Sequence, residues 1–311
     1  MKLIFFGSPA YTFFLIDEIL KQKYDLQAII TQDSKIGKRG KIQKTPVENY
    51  SEKINVQCLK PKNLRDDNFV DILKNLNSDL FIVYSYGKIL PIEIINIPKH
   101  GILNIHCSLL PRWRGAAPIQ RALLNGDDKT GITFFKINEG LDTGDIISSY
   151  EYKIKQTDNT LSLEENLSKL AASKLNDVIE MIITNSNLVK QNNDESLYAK
   201  KILKSESLIN WNSKGQEIIN KIRAFIDWPI AEAKIIDSNV KIYSANFSKC
   251  DHKYNPGEVV AFNKDGLSIA VQDGILIIDR LQLPSRNMIR ACDLYNSNEK
   301  FSKSLKKILN I

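Results

Sequence analysis

Two residues that could do chemistry, Asn104 and His106, close the apolar run Gly101–His106. The run alternates as a strand does, so the amide and the imidazole emerge on one face while Leu103 and Ile105 turn to the other. Such a pair suits transfer of an acyl unit to an amine. The attacking amine must lose a proton, the oxyanion of the tetrahedral intermediate needs donors, and the departing nitrogen must gain a proton. Asn104 can donate to the oxyanion, and His106 can donate or relay a proton. Asp142, flanked by Gly140 and Gly144 in Glu139-Gly140-Leu141-Asp142-Thr143-Gly144-Asp145, could fix the ring's orientation. A turn cap is the alternative use of such an Asp. Ser108, Arg112, Arg114 and Asp145 form a second tier. One His, one amide and one Asp make a poor ligand set, so no metal is expected. Cys107 points away from His106 on an extended strand, which disfavours it as a nucleophile.

The elements that must hold these groups follow from periodicity. Residues 2–7 form an apolar strand. A helix over Pro9–Lys23 follows, with Phe13, Phe14, Ile16, Ile19 and Leu20 at helical spacing, then a strand over Leu26–Thr31. That order predicts a parallel sheet with right-handed crossovers. Gly7-Ser8-Pro9-Ala10 is not GxGxxG, which counts against a dinucleotide site. Further expected strands are Val56–Leu59, Asp79–Tyr84, Thr130–Ile137 and Ile146–Ile154. A helix over Arg65–Leu76 would turn Phe69, Ile72, Leu73 and Leu76 inward, and another covers Pro118–Leu124. Pro111 and Gly115 take the chain out of the sheet as a loop, and ligands of open α/β sheets bind at such strand exits. Ser162 with Glu165 reads as a capping box opening a helix to Ile183. Beyond about residue 205, short runs at Ala233–Ile236, Val240–Tyr243, Gly257–Phe262, Leu267–Val271 and Gly274–Ile278 suggest a small barrel or sandwich.

The 311 residues carry 43 Lys+Arg against 36 Asp+Glu, a net charge of +7. Mild basicity alone says little; its concentration matters. From Ser34 to Val47 periodicity disappears, and Lys35, Lys38, Arg39, Lys41 and Lys44 occur with no acidic residue. Five like charges repel one another unless a polyanion offsets them, which favours phosphate binding over an incidental surface loop. Four scattered cysteines form no CxxC pair, no apolar run is long enough to span a bilayer, and no signal-peptide pattern is seen. A cytoplasmic, non-membrane protein is expected.

Asn104-x-His106-x-Ser108-Leu109-Leu110-Pro111, with Gly140-Leu141-Asp142-Thr143-Gly144-Asp145 further on, resembles the formyltransferases that use 10-formyltetrahydrofolate. Arg112 to Gln120, Ile209-Asn210-Trp211, Lys221 to Phe225, Trp228-Pro229 and Pro256 to Val260 resemble the branch that formylates tRNA. The resemblance implies a Rossmann-like, mainly parallel sheet with helices on both faces over 1–184. The polar, Asn-rich stretch Asn185–Asn193 has the composition of a linker, set at 185–204, and the resemblance implies an OB-like, tRNA-binding β-barrel over 205–311. Asn104, His106 and Asp142 would be catalytic. Tyr86, Gly87, Lys88, Ile89 and Leu90, with Ser108, Leu109, Leu110 and Pro111, would line the folate pocket. Lys35, Lys38, Arg39, Lys41 and Lys44 would meet the acceptor arm of initiator methionyl-tRNA. The formyl donor would be 10-formyltetrahydrofolate, without a metal, and the chain would act as a monomer. A related branch acting on amino-sugar nucleotides would have no use for the five cations; a non-catalytic RNA-binding relative would have no use for the polar trio.

Overall fold

The computed structural model describes residues 1–33, 35–36, 42–185 and 187–310. In chain order the first elements are β1 (Lys2–Phe6), α1 (Phe13–Lys21), β2 (Asp25–Ile30), the ribbon β3 (Lys35–Ile36) and β4 (Ile42–Gln43), α2 (Pro46–Lys53), β5 (Cys58–Leu59), α3 (Asp67–Asn75) and β6 (Leu80–Tyr84). Then come α4 (Ile92–Ile95), β7 (Ile102–His106), β8 (Arg114–Gly115), α5 (Pro118–Asn125), β9 (Lys129–Lys136), β10 (Ile146–Lys153), α6 (Thr160–Ile183) and β11 (Tyr198–Ala199). The chain divides into two compact units. The first comprises Met1–Pro118, Lys129–Ile154 and Leu163–Lys200, and the second Ile119–Asp128, Lys155–Ser162 and Lys201–Ile311.

In the first unit a seven-stranded sheet runs in the order β10-β9-β7-β6-β1-β2-β5. The pairings β1–β2, β1–β6, β6–β7 and β2–β5 are parallel, whereas β7–β9 and β9–β10 are antiparallel. This is the mixed, mainly parallel Rossmann-like α/β sheet. Leu3, Ile4, Phe5 and Phe6 are all fully buried, as a strand covered on both faces requires. On one face Ile4 and Phe6 join Phe69, Val70, Leu73 and Ile94 of α3 and α4 in a single core. The other face is tied to α6, where the Tyr84 hydroxyl pairs with Ser168 Oγ at 2.7 Å and the Tyr24 hydroxyl donates to Asn176 Oδ1 at 2.7 Å.

Three local expectations need correction. In α3 it is Val70, not Ile72, that is buried. Asp66 caps the helix by accepting from the N–H groups of Asn68 and Phe69, and the phase this sets turns Phe69, Val70 and Leu73 inward. The segment after Pro9 opens as a 3-10 turn at Ala10–Thr12 before α1, with Leu15, Ile16 and Ile19 as its buried positions. The capping box of α6 lies one turn earlier than the sequence suggests. Asn159 Oδ1 accepts from Ser162 N and Ser162 Oγ accepts from Asn159 N, both at 3.0 Å, while Glu165 pairs with Lys169 on the surface.

The second unit adds α7 (Gly215–Ala224), β12 (Ala231–Ile235), β13 (Ser238–Lys249), β14 (Val259–Asn263), β15 (Gly266–Val271), β16 (Gly274–Gln282), β17 (Met288–Arg290), α8 (Ala291–Tyr295) and α9 (Lys300–Leu309). Its strands run β12-β13-β16-β15-β14, with β17 also on β16, and every pairing is antiparallel. Among the described residues no pairing closes β12 on β14, so the expected barrel stands here as a sheet. The core gathers Val240, Ile242, Leu267, Ile269, Leu276 and Ile278 with Ile218 and Ile222 of α7. Strand β13 runs well beyond the expected Val240–Tyr243, because its polar tail to Lys249 is held by pairing with β16 and not by burial. No helix among the described residues is long and apolar enough to cross a membrane.

Candidate active site

The exits of β1, β6 and β7 open into one cavity of about 590 Å³, entirely within the first unit. Because β1 lies between β2 and β6, chain direction forks there, and this is where open parallel sheets bind ligands. The structure brings Asn104, His106 and Asp142 together on the cavity wall with Tyr86, Gly87, Lys88, Ile89 and Leu90. Among the described residues the Asn104 side chain has no hydrogen-bonding partner, which leaves its donors to whatever fills the cavity.

The His106 ring is buried, held at Nε2, and faces Asp142 with Nδ1. Nε2 lies 2.7 Å from the carbonyl oxygen of Trp113, and Nδ1 lies 3.7 Å from Asp142 Oδ2. A carbonyl can only accept, so Nε2 carries a proton and donates it. Asp142 itself sits at φ +53. Its Oδ2 accepts from Gly115 N at 2.8 Å, a contact spanning 27 residues, so the carboxylate does not serve as a local turn cap. The loop closes tightly because Gly144 has no side chain: a Cβ there would stand 1.7 Å from the carbonyl oxygen of Lys136.

The structure does not bring Ser108, Leu109, Leu110 or Pro111 to this cavity. They form a buried turn instead. Ser108 Oγ donates to Arg112 O at 2.6 Å, Thr133 Oγ1 donates to Ser108 O at 2.7 Å, and Leu110 N donates to Thr133 Oγ1 at 3.0 Å. The Leu110–Pro111 bond is cis and Trp113 has φ +62, a path that ends by presenting the Trp113 carbonyl to His106. Sequence patterns carry no signal for that backbone acceptor. Nor do they mark Pro9 and Tyr11, which reach the cavity from the exit of β1.

Tyr86 is buried with its hydroxyl unpartnered among the described residues, and burial pushes that phenol up to about 12. Its carbonyl accepts from Gln32 Nε2 at 2.6 Å, which anchors the Tyr86–Leu90 loop at Gly87, φ +77. Lys88 donates to Pro61 O at 3.0 Å. Ile89 and Leu141, both cavity-lining, are 79% and 51% exposed, large apolar surfaces facing open space at the rim. Cys107 Sγ contacts the Tyr84 hydroxyl at 3.4 Å, and burial pushes its thiol up to about 12, which keeps it from acting as a thiolate.

Of the expected cationic set, Lys35 lies in the ribbon β3, and Lys44 is exposed and ion-paired with Glu52. Lys38, Arg39 and Lys41 lie outside the described residues. Among the described residues no group of three or more His, Cys, Asp or Glu is arranged to hold a metal.

The family model described as formyl transferase matches residues 1–179, and that of the formyl transferase C-terminal domain matches residues 201–299. The chain is 35% identical over 301 residues to the methionyl-tRNA formyltransferase of Legionella pneumophila (strain Corby), covering 96% of each chain. It is 38% identical over 297 residues to that of Sulfurihydrogenibium sp. (strain YO3AOP1), covering 94% of this chain and 96% of the relative. Among solved structures, WlaRD, a sugar 3N-formyl transferase studied with dTDP and 5-N-formyl-THF, superposes with a TM-score of 0.67 at 25% identity, over 92% of this chain and 98% of that one. With near-complete matches at this identity, the chain belongs to the methionyl-tRNA formyltransferase family of formyl transferases.

Proposed function

We propose that the chain transfers the formyl group of 10-formyltetrahydrofolate to the α-amine of methionine on initiator methionyl-tRNA. One observation carries the reading: Asn104, His106 and Asp142 converge on the cavity that the Tyr86–Leu90 loop also lines. The names of the near-full-length relatives, and the formyl-folate in the WlaRD structure, support the same donor and acceptor.

The amine nitrogen attacks the formyl carbon, and the carbonyl electron pair moves onto oxygen. As that pair returns, the bond from carbon to N10 breaks. The amine gives up one proton and N10 takes one, so the exchange balances. Asn104 offers its amide N–H to the oxyanion, a contribution of about 3 kcal/mol in comparable sites. His106, whose Nε2–H is committed to Trp113 O, takes and passes on the proton at Nδ1, and Asp142 beside that atom stabilises the charged ring. The exposed Ile89 and Leu141 offer apolar surface to the faces of the folate, and backbone groups of Tyr86–Leu90 read its edge. Ser108, Leu109, Leu110 and Pro111 act at one remove, by shaping the turn that ends at the Trp113 carbonyl.

Lys35, Lys38, Arg39, Lys41 and Lys44 supply phosphate contacts to the acceptor arm, and residues 205–311 supply more. We read 1–184 as the catalytic domain, 185–204 as the linker and 205–311 as an OB-like domain. The register shifts where β13 crosses β16, between Ile242 and Ala245, supply the bending such a barrel needs. The chain works as a monomer in the cytoplasm.

The test is to incubate the purified protein with 10-formyltetrahydrofolate and, separately, charged initiator tRNA, an amino-sugar nucleotide, or buffer alone, and to follow the formyl group. Formylmethionyl-tRNA as the product is the expected result. Formyl-sugar or free formate as the main product would reassign the chain to a sugar formyltransferase or a hydrolase. Binding of tRNA without transfer would make it a non-catalytic relative.

A further inference from the structure

Arg114 is only 1% exposed, yet among the described residues its guanidinium meets amides and no carboxylate. Its Nε and Nη2 donate to Gln191 Oε1 at 2.9 and 2.7 Å, and Nη1 donates to Asn193 Oδ1 at 2.9 Å. A cation buried among neutral amides is a costly arrangement and needs a reason. The reason lies at the other end of Gln191. Its Nε2 donates to the carbonyl oxygens of Asp142 at 2.9 Å and Gly144 at 2.7 Å. The amide cannot be reversed, because its NH₂ would then face the guanidinium donors. Arg114 therefore fixes which way Gln191 points, and Gln191 holds the main chain on both sides of Thr143.

The same two-residue step of backbone holds the side chain of Asp142. Gly115 N, the next residue after Arg114, donates to Asp142 Oδ2 at 2.8 Å. The strap that delivers Gln191 is itself fastened, to β10 of the sheet by the reciprocal Ile146–Val189 backbone pair at 2.8 and 2.9 Å and to β8 by Arg114 N to Leu197 O at 2.9 Å. Asp142 occupies the left-handed region, φ +53, which Asp adopts more readily than most residues with a Cβ.

We propose that Arg114 and Gln191 are positioning residues, which hold Asp142 facing His106 in the placement from which the pair closes for formyl transfer. The proposal rests on the reading of Asp142 as a functional group. Loss of the bridge frees the 142–144 loop and lowers kcat, while the Tyr86–Leu90 loop and the cationic segment, which carry most of the proposed contacts to the two substrates, are untouched and Leu141 alone of the folate-facing residues lies beside the freed loop.

A double-mutant cycle tests it, with Gln191→Ala and Asp142→Asn alone and together, read as kcat and KM for formyl-folate and methionyl-tRNA. Gln191→Ala should lower kcat about 10- to 100-fold with each KM within about 3-fold, and should cost less than about 2-fold in the Asp142→Asn background. Gln191→Glu guards against simple unfolding: it keeps the acceptor for Arg114 and adds a countercharge, but faces two carbonyls without a donor. It should lose kcat as Gln191→Ala does while melting no lower than wild type. Wild-type kcat in both Gln191 variants, or an equal loss in both Asp142 backgrounds, overturns the clamp alone. Wild-type kcat in Asp142→Asn itself overturns the reading of Asp142 beneath it.

Discussion

His106 Nδ1 stands 3.7 Å from Asp142 Oδ2, just beyond hydrogen-bond reach, while the opposite nitrogen of the ring is already fixed at 2.7 Å to Trp113 O. The pair is thus aligned and not yet closed, as catalytic contacts often are before substrate binds. About 1 Å of approach between the two side chains would complete it. Everything that holds Asp142 therefore acts on the ring.

Replacing the carboxylate by its amide separates charge from shape. In Asp142→Asn the side-chain oxygen can still accept from Gly115 N, so the loop keeps its anchor. Single-turnover formyl transfer should fall by roughly 100- to 1,000-fold while stability changes by less than about 1 kcal/mol. Rapid-quench kinetics beside a urea titration would check both; a large drop in stability would mean that the charge has a structural role instead.

Asn104 and His106 should be separable from the folate loop in the same assay. Asn104→Ala removes donors with no partner among the described residues, and His106→Ala removes the proton carrier. Each should lower the single-turnover rate by about two to three orders of magnitude with little change in folate affinity. Near-normal turnover in either variant would remove that residue from the mechanism.

The sequence made the strands of the seven-stranded sheet, the shared face of Asn104 and His106 and the Gly-flanked Asp142 legible, because strand alternation and glycine spacing are local signals. The turn Ser108–Trp113 was legible as a strand exit but not as a device. Its role depends on a left-handed Trp and the distant Thr133 hydroxyl, neither of which is encoded in spacing. Gln191 was hidden in a polar stretch that reads as linker. An Asn-rich, Gln-containing segment has the composition of a linker whether its amides face water or, as here, a buried guanidinium. The exposed run of β13 was underestimated for a related reason: pairing without burial leaves no hydrophobic pattern.

The buried thiol makes stability fall at alkaline pH. Cys107 is pushed from 9.0 to about 12, chiefly by burial, with the Tyr84 hydroxyl opposing and Glu164 adding to the rise. Below pH 9 the thiol is neutral in both folded and unfolded chains and has no pH-dependent effect. Above pH 9 it ionises only in the unfolded chain, which stabilises that state by about 1.4 kcal/mol for each pH unit up to the folded value near 12. Tyr84, raised by the same burial, acts in the same sense at higher pH. Urea titrations from pH 8.5 to 11 should give a falling stability whose slope is shallower in Cys107→Ala; identical slopes would show that the thiol ionises freely in the folded protein.

Thr133 is the fastening of the turn below His106. Its fully buried hydroxyl donates to Ser108 O at 2.7 Å and accepts from Leu110 N at 3.0 Å and Ser149 Oγ at 3.2 Å. Thr133→Val keeps the shape and leaves those groups unpaired, at a cost of about 1–3 kcal/mol. The turn carries the Trp113 carbonyl, so the variant should also lower kcat. Thr133→Ser, which retains the hydroxyl, should recover most of both losses. A Thr133→Val protein as stable as wild type would mean that water replaces the hydroxyl.

The cationic segment should act on tRNA and nowhere else. Each phosphate contact made by a Lys or Arg releases condensed counterions, so the logarithm of affinity falls linearly with the logarithm of salt, by roughly one unit of slope per contact. Arg39→Ala should therefore weaken binding of initiator methionyl-tRNA most at low salt and reduce that slope by about one, while KM for formyl-folate stays the same. Lys44→Ala should do less, because Lys44 is already paired with Glu52. A slope unchanged by Arg39→Ala across a salt titration would assign the segment's charge to composition and move the search for the acceptor-arm contacts to residues 205–311.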